Sequence, residues 1–147
     1  AGKKVLGICL GAQLVADVLG GRVTRNAQLE IGWFPVTRAA APSHFFAGFP
    51  ASFSAFHWHG DTFALPPGCL PLMHSEACAN QAFERGAQIA AIQFHLEVTA
   101  ANAREWFEHE RPAPARYVQV PEAILRDVGR FADNNRLMLK LLERFVG

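Results

Sequence analysis

The heptapeptide Gly7-Ile8-Cys9-Leu10-Gly11-Ala12-Gln13 lies between an apolar run that begins at Val5 and a helical pattern that extends to Leu19. This context predicts a buried strand, a sharp turn and a helix. Glycines stand two residues before and two residues after Cys9, which is the spacing of a nucleophile elbow. In such an elbow, larger neighbours would clash and the nucleophile is held in a strained conformation. The helix N-terminus behind Cys9 favours a thiolate.

Length and composition bound the class of protein. The 147 residues suffice for one domain, and half of them are hydrophobic while 18% are charged, which is typical of a packed globular core. The net charge of +1 argues against a nucleic acid or a membrane surface as partner. No apolar stretch is long enough to span a bilayer or to form a signal peptide. Cys9, Cys69 and Cys78 lack the spacing of a disulfide framework, so we expect a cytoplasmic location.

The rest of the chain shows short strands followed by helices, which indicates an α/β fold. Pro35 places its strand at an edge or a bulge, and Gly60-Asp61 is predicted to be a loop. Gly20-Gly21 follows a helix and is expected to cap its C-terminus rather than to bind phosphate. The predicted strands cover residues 5–9, 22–25, 30–38, 53–59, 70–75, 81–84 and 88–94. The predicted helices cover residues 10–19, 99–109, 121–132 and 134–146.

A thiolate nucleophile needs a base, and the base needs a group that orients it. His95 and Glu97 follow the second strongly apolar strand, and residues two apart on an extended chain point the same way. The carboxyl ends of parallel strands meet at one crevice, so Cys9 and His95 are predicted to lie together. The alternatives are that Cys9 is an inert buried thiol and that His95 is a hydrogen-bonded core histidine.

His57 and His59 stand two residues apart in a predicted strand. At this spacing they could ligate a metal with Cys78 or His74, but no zinc-type ligand spacing is present. We therefore predict no metal site and no cofactor, and we expect these histidines to be hydrogen-bonded at the end of a strand. Asp61 is expected to stabilise a turn.

Cys9 and His95 belong to a set of five segments whose order and spacing are specific. Together these segments resemble the class I (triad-type) glutamine amidotransferases, and most closely the group similar to the amidotransferase domain of GMP synthase. The resemblance covers about residues 4–99. The five segments are Gly7 to Gln13, Glu30 to Trp33, His57 to Phe63, Ser75 to Phe83 and Phe94 to Glu97.

The resemblance implies a flavodoxin-like fold, with a mixed, mainly parallel sheet and flanking helices. It also implies that Cys9 attacks the side-chain amide of glutamine, that His95 transfers the protons and that Glu97 orients His95. A γ-glutamyl thioester and ammonia would result. The amide of Leu10 would contribute to the oxyanion hole. Glutamine's amino-acid end would be held by Gln13, Trp58, Gly60 and Asp61.

Two departures from the family pattern affect this expectation. Leu96 stands where the family usually has proline, which implies a looser backbone restraint on the triad. The family also has strand–helix units before the elbow, and one of their loops completes the oxyanion hole. We therefore expect an N-terminally truncated chain, in which residues 1–110 are the C-terminal part of the amidotransferase domain and residues 111–147 are a helical extension. Such a fragment would be poorly active or unstable alone.

The ammonia acceptor is not encoded in the chain, because no P-loop or nucleotide-binding fingerprint is present. A synthetase partner or another acceptor protein is expected to supply it, and the helical tail could form an interface, including one between identical chains. Two alternative functions use the same fold. One is a γ-glutamyl hydrolase with the same triad, and the other is a non-catalytic binding relative.

Overall fold

The computed structural model describes residues 2–147, in which six strands form one mixed sheet with helices packed beside it. Across the sheet the strands follow the order β1-β6-β5-β4-β2-β3. In chain order the strands are β1 (Val5–Ile8), β2 (Val23–Arg38), β3 (Ser52–Phe63), β4 (Leu70–His74), β5 (Ala82–Arg85) and β6 (Ile89–Ile92). The helices are α1 (Leu10–Val18), α2 (Ala100–His109), α3 (Pro121–Ile124) and α4 (Gly129–Val146).

The strand pairing confirms a mixed sheet with flanking helices but corrects the expected share of parallel pairs. Only β1 and β6 run parallel among the described strands, with Gly7 beside Ala91 and Ile8 beside Ile92. The other neighbouring pairs are antiparallel. The reason is connectivity: β2 to β6 follow one another through turns and short loops, whereas a parallel pair needs a long crossover. The described part of the sheet is therefore mainly antiparallel.

Several predicted boundaries are corrected by long-range pairing. The predicted strands 22–25 and 30–38 form the single strand β2, with an irregularity between Arg25 and Glu30. The predicted loop at Gly60-Asp61 lies within β3, because Asp61 pairs with Arg25. Strand β6 ends at Ile92, two residues before the predicted end. The predicted helix 121–132 is divided into α3 and the start of α4, where the Asp127 carboxylate accepts a hydrogen bond from the Gly129 amide.

Apolar residues from both ends of the chain share the core. Helix α1 packs Ala12 and Ala16 against one side of the sheet, while α4 contributes Met138 and Leu141 to the cluster around Phe94. The last helix therefore contributes apolar side chains to the core, although Leu142 is 41% exposed. The division of the chain at residue 110 stays a prediction. Within residues 2–147, no helix is both long and apolar enough to cross a bilayer.

The elbow has the strained backbone that its sequence predicts. Cys9 has φ +50° and is the only non-glycine residue with positive φ in the described chain. A Cβ on Gly7 would lie 2.6 Å from the carbonyl oxygen of Gly11, so a side chain is excluded there. Gly11 itself has open space around its Cα, which corrects the expectation that both glycines avoid a clash. Strain of this kind costs about 1–3 kcal/mol and is typical of functional sites.

These two glycines provide a matched pair of substitutions. Gly7→Ala should lower the free energy of unfolding by about 1–3 kcal/mol, because the new methyl group overlaps the first turn of α1. Gly11→Ala should raise it by less than about 1 kcal/mol, because alanine is the better helix former. Urea denaturation of both variants measures the difference. Equal stability of the two variants would contradict the elbow geometry.

Candidate active site

Cys9 and the segment after β6 are brought together by the parallel pair at the edge of the described sheet. The Cys9 amide donates a hydrogen bond of 2.9 Å to the carbonyl of Ile92, the last residue of β6. Beyond it, the His95 amide donates to the Phe56 carbonyl at 2.8 Å, and Phe94 is fully buried. Cys9 and His95 thereby lie at the same end of this parallel pair, where the sequence expects them to meet, and their interaction raises the pKa of His95.

His95 also contacts Glu97. Its Nδ1 lies 2.6 Å from Glu97 Oε1, which leaves Nε2 for Cys9. Burial alone would lower the pKa of His95, but the contacts with Cys9 and Glu97 outweigh burial and raise that pKa to about 9. Burial would raise the pKa of Glu97, and the hydrogen bond from His95 instead lowers it. The pair is therefore an imidazolium and a carboxylate at neutral pH.

A cavity of about 380 Å³ opens onto these side chains. Two tryptophans form its apolar wall: Trp106 lies edge-on to Trp58, with ring centroids 5.4 Å apart, and 5.5 Å from the His95 ring. The lining residues are Cys9, Trp58, His95, Trp106, His109 and Glu110. The nucleophile and the imidazole are thus accessible to a small molecule.

The other predicted site residues differ in their positions relative to this cavity. Leu10 is the first residue of α1, where backbone amides have no acceptor within the helix. The Gln13 side chain is buried, and its Nε2 lies 3.4 Å from the Asp61 carbonyl and 3.0 Å from Gln93 Oε1. Gly60 and Asp61 lie within β3. Of the four residues predicted to bind glutamine, only Trp58 lines the cavity.

Sequence reasoning missed two residues that support this site. Gln93 is fully buried and its Nε2 lies 3.6 Å from Cys9 Sγ. It precedes His95 by two residues, so the alternation that relates His95 to Glu97 could have identified it. Asn135 of α4 donates hydrogen bonds to the carbonyls of Leu96 and Val98 at 2.8 and 3.1 Å. These bonds restrain the backbone at Leu96, where the resemblance leads one to expect proline, and no local pattern indicates them.

A buried polar cluster surrounds Glu30, which sequence reasoning did not connect with the histidines. Glu30 contacts His57 Nδ1 and lies 3.1 Å from His59 Nε2. It also accepts hydrogen bonds from Ser75 Oγ at 2.7 Å and from Gln81 Nε2 at 2.8 Å. Burial would raise the pKa of Glu30, but these partners hold it well below its usual range. A charged carboxylate is therefore retained in the interior by hydrogen bonds.

The same cluster supplies three potential metal ligands. One atom each from Glu30, His57 and His59 lies within 4.8 Å of the other two, and all three residues are buried. The second ring nitrogens bond to the carbonyls of Phe34 and Asp61, so both histidines are hydrogen-bonded as expected, but they lie within β3 and not at the end of a strand. The carboxylate oxygen already contacts both imidazoles, so an ion could enter only if these side chains moved apart.

A comparison with family models identifies the family to which this chain is similar. The model of the class-I glutamine amidotransferases matches residues 1–110. The chain belongs to the class I glutamine amidotransferase family. The crystal structure of a glutamine amidotransferase from Methylobacillus flagellatus superimposes with a TM-score of 0.91 at 34% identity, covering 97% of this chain and 62% of that one. The predicted flavodoxin-like class I fold is thereby confirmed.

Curated relatives of this amidotransferase chain include a glutamine amidotransferase-like protein and a GMP synthase. It is 32% identical to YfeJ, described as glutamine amidotransferase-like, from Salmonella typhimurium, over 76% of this chain and 47% of the relative. It is 43% identical to GMP synthase [glutamine-hydrolyzing] of Thermomicrobium roseum, over 67% of this chain and 18% of the relative. The chain thus spans half or less of the length of these relatives.

The pKa of His95 tests the electrostatics of the site. Glu97→Gln should lower it from about 9, because removal of the carboxylate leaves burial as the larger influence. A raised folded-state pKa stabilises the fold below the unfolded value, and this stabilisation is lost as the pH rises through 9. NMR titration of the His95 ring measures the change. Glu110→Gln is the control and should leave the midpoint unchanged, because Glu110 lines the same cavity but is not among the groups that shift the pKa of His95.

The Glu30 cluster can be tested by its stability. Glu30→Gln should cost about 3–5 kcal/mol, because it removes the charge that two buried imidazoles face. The pKa of Glu30 is lowered by folding, so its stabilisation is present above the usual carboxyl pKa and is lost as the pH falls. Chemical denaturation at neutral pH measures the cost. The exposed pair of Glu76 and Arg116 is the comparison, and Glu76→Gln should change stability by less than about 1 kcal/mol. A similar loss in both variants would contradict the assignment.

Proposed function

We propose that this amidotransferase hydrolyses the side-chain amide of glutamine through Cys9, His95 and Glu97. The observation that carries the proposal is the 2.6 Å contact between His95 Nδ1 and Glu97, with Cys9 on a strained turn that lines the same cavity as His95. A nucleophile, a base and an orienting carboxylate in this order form a catalytic triad.

The reaction would follow from these positions. Cys9 Sγ, having given its proton to His95 Nε2, attacks the side-chain carbonyl carbon of glutamine. The carbon–nitrogen bond then breaks, and His95 returns the proton to the leaving nitrogen, which departs as ammonia. A water molecule, deprotonated by His95, attacks the γ-glutamyl thioester and releases glutamate and the thiol. Because the contact with Glu97 raises the pKa of His95, the imidazolium needed in the second step is stable at neutral pH.

The oxyanion would be stabilised by the amide of Leu10, which begins α1 immediately after the nucleophile. Trp58, Gly60 and Asp61 would hold the amino-acid end of glutamine. Gln13 would contribute by holding the Asp61 backbone, whose carbonyl lies 3.4 Å from its Nε2. The tryptophan wall of the cavity supports a substrate whose aliphatic stem is enclosed and whose polar ends reach the backbone.

The ammonia would pass to an acceptor on a synthetase partner or a linked domain. The name of the Thermomicrobium roseum relative, a glutamine-hydrolysing GMP synthase, supports this assignment, although the chain covers only 18% of that protein. We further propose a cytoplasmic location, which the three free cysteines support. The proposed division into an amidotransferase part and a helical extension after residue 110 coincides with the end of the family match.

Glutamate release from glutamine measures the proposed activity. Cys9→Ser should reduce kcat by at least about 10³-fold, because the thiolate nucleophile is lost. Cys69→Ser is a matched control at a free cysteine outside the cavity and should retain activity. Undiminished turnover in Cys9→Ser would contradict the proposal, and binding of glutamine without turnover in the intact protein would favour a non-catalytic relative. Ammonia release from other γ-glutamyl amides at equal rates would favour a γ-glutamyl hydrolase.

A further inference from the structure

We propose that Gln93 is a positioning residue that donates a hydrogen bond to the Cys9 thiolate and thereby favours the ionised nucleophile. This inference rests on the proposed function, because it concerns the same nucleophile. Gln93 is separate from Cys9, His95 and Glu97, and the proposed reaction gives it no role.

The position of Gln93 follows from the strand pairing. It is the first residue after β6, and the carbonyl of the preceding Ile92 accepts the hydrogen bond from the Cys9 amide. The same contact that fixes the elbow therefore brings the Gln93 side chain to the sulfur. Gln93 Nε2 lies 3.6 Å from Cys9 Sγ, and no part of the residue is exposed to solvent. Water cannot readily replace the amide as a partner of the sulfur.

The orientation of the amide is fixed by a chain of hydrogen bonds. The Asp61 carbonyl can only accept, so the Gln13 group facing it at 3.4 Å is the amide nitrogen. The same nitrogen donates to Gln93 Oε1 at 3.0 Å. The Gln93 oxygen is thereby directed to Gln13, and its NH₂ group is directed to the sulfur. If the Gln93 amide were flipped, its NH₂ group would face the NH₂ group of Gln13, and two donors would oppose each other.

The partners of Cys9 Sγ differ in the protonation state that they favour. The Trp58 carbonyl lies 3.6 Å away and can only accept, so it stabilises the thiol by receiving the S–H hydrogen. After the proton has moved to His95, the sulfur can only accept. Its donors are then the His95 imidazolium and the Gln93 amide. Hydrogen bonds to a charged group are stronger than neutral ones, so Gln93 stabilises the thiolate more than the thiol.

The same contact would act twice in the reaction. The thiolate is the attacking group when the thioester forms and the leaving group when water cleaves it. A donor at the sulfur lowers the free energy of the anion in both steps without touching glutamine. We therefore expect loss of this donor to lower kcat more than it changes KM.

The test is the pH dependence of Cys9 alkylation by iodoacetamide in the intact protein. Gln93→Met keeps the length of the side chain and removes the donor. The midpoint of the alkylation profile should rise by about one pH unit, with a roughly tenfold slower reaction on the low-pH side of the profile. The background from Cys69 and Cys78 is measured in Cys9→Ala and subtracted. Gln119→Met removes a side-chain amide that bonds only to Trp33 and should leave the profile unchanged.

A second variant separates the hydrogen bond from packing. Gln93→Glu retains the size of the side chain but places a carboxylate at the sulfur, so the midpoint should rise further than in Gln93→Met. Thermal unfolding of each variant establishes that it is folded. Profiles of folded Gln93→Met and Gln93→Glu that coincide with the wild-type profile would overturn the inference.

The alkylation readout does not depend on glutamine. A Gln93-dependent profile in a protein that releases no glutamate would support the hydrogen bond and contradict the proposed reaction. A glutaminase whose alkylation profile and kcat are unchanged in Gln93→Met would support the proposed reaction and overturn this inference.

Discussion

The parallel pairing of β1 with β6 is the constraint on which the site depends. The hydrogen bond from the Cys9 amide to Ile92 closes this ladder at the elbow and brings the nucleophile beside the segment that carries Gln93, His95 and Glu97. A shift of one residue in this register would reverse the directions in which these side chains point. Gly7 permits the close approach of α1 that the turn requires. The backbone geometry therefore determines which side chains meet at the site.

A continuous set of polar contacts, most of them made by buried side chains, supports that geometry. Glu30 bonds to His59, whose Nδ1 bonds to the Asp61 carbonyl, and that carbonyl also accepts from Gln13. Gln13 in turn orients Gln93 at the sulfur. The side chains of Glu30, His59, Gln13 and Gln93 are buried, so their contacts are costly to break and the set has few alternative arrangements. The interior polar residues thus contribute to the position of Cys9 in addition to stabilising β2 and β3.

The sequence predicts what is local and misses what depends on distant pairing. The elbow and the alternation of His95 with Glu97 are properties of adjacent residues, and the structure reproduces them. The continuation of β3 through Gly60 and Asp61 depends on pairing with residues 23–25, which no local pattern encodes. The contact of Glu30 with two histidines, and the bonds from Asn135 to the catalytic segment, join residues far apart in the chain.

The central claim is that Cys9 forms a covalent γ-glutamyl intermediate during hydrolysis of glutamine. The direct measurement is rapid acid quenching of the intact protein in steady-state turnover with glutamine, followed by mass spectrometry of its cysteine peptides. The account predicts a glutamyl adduct confined to the Cys9 peptide, which disappears when glutamine is exhausted. Its accumulation should increase when Glu97→Gln slows the attack of water. Glutamate release without an adduct on Cys9, or an adduct on Cys69 or Cys78, would contradict it.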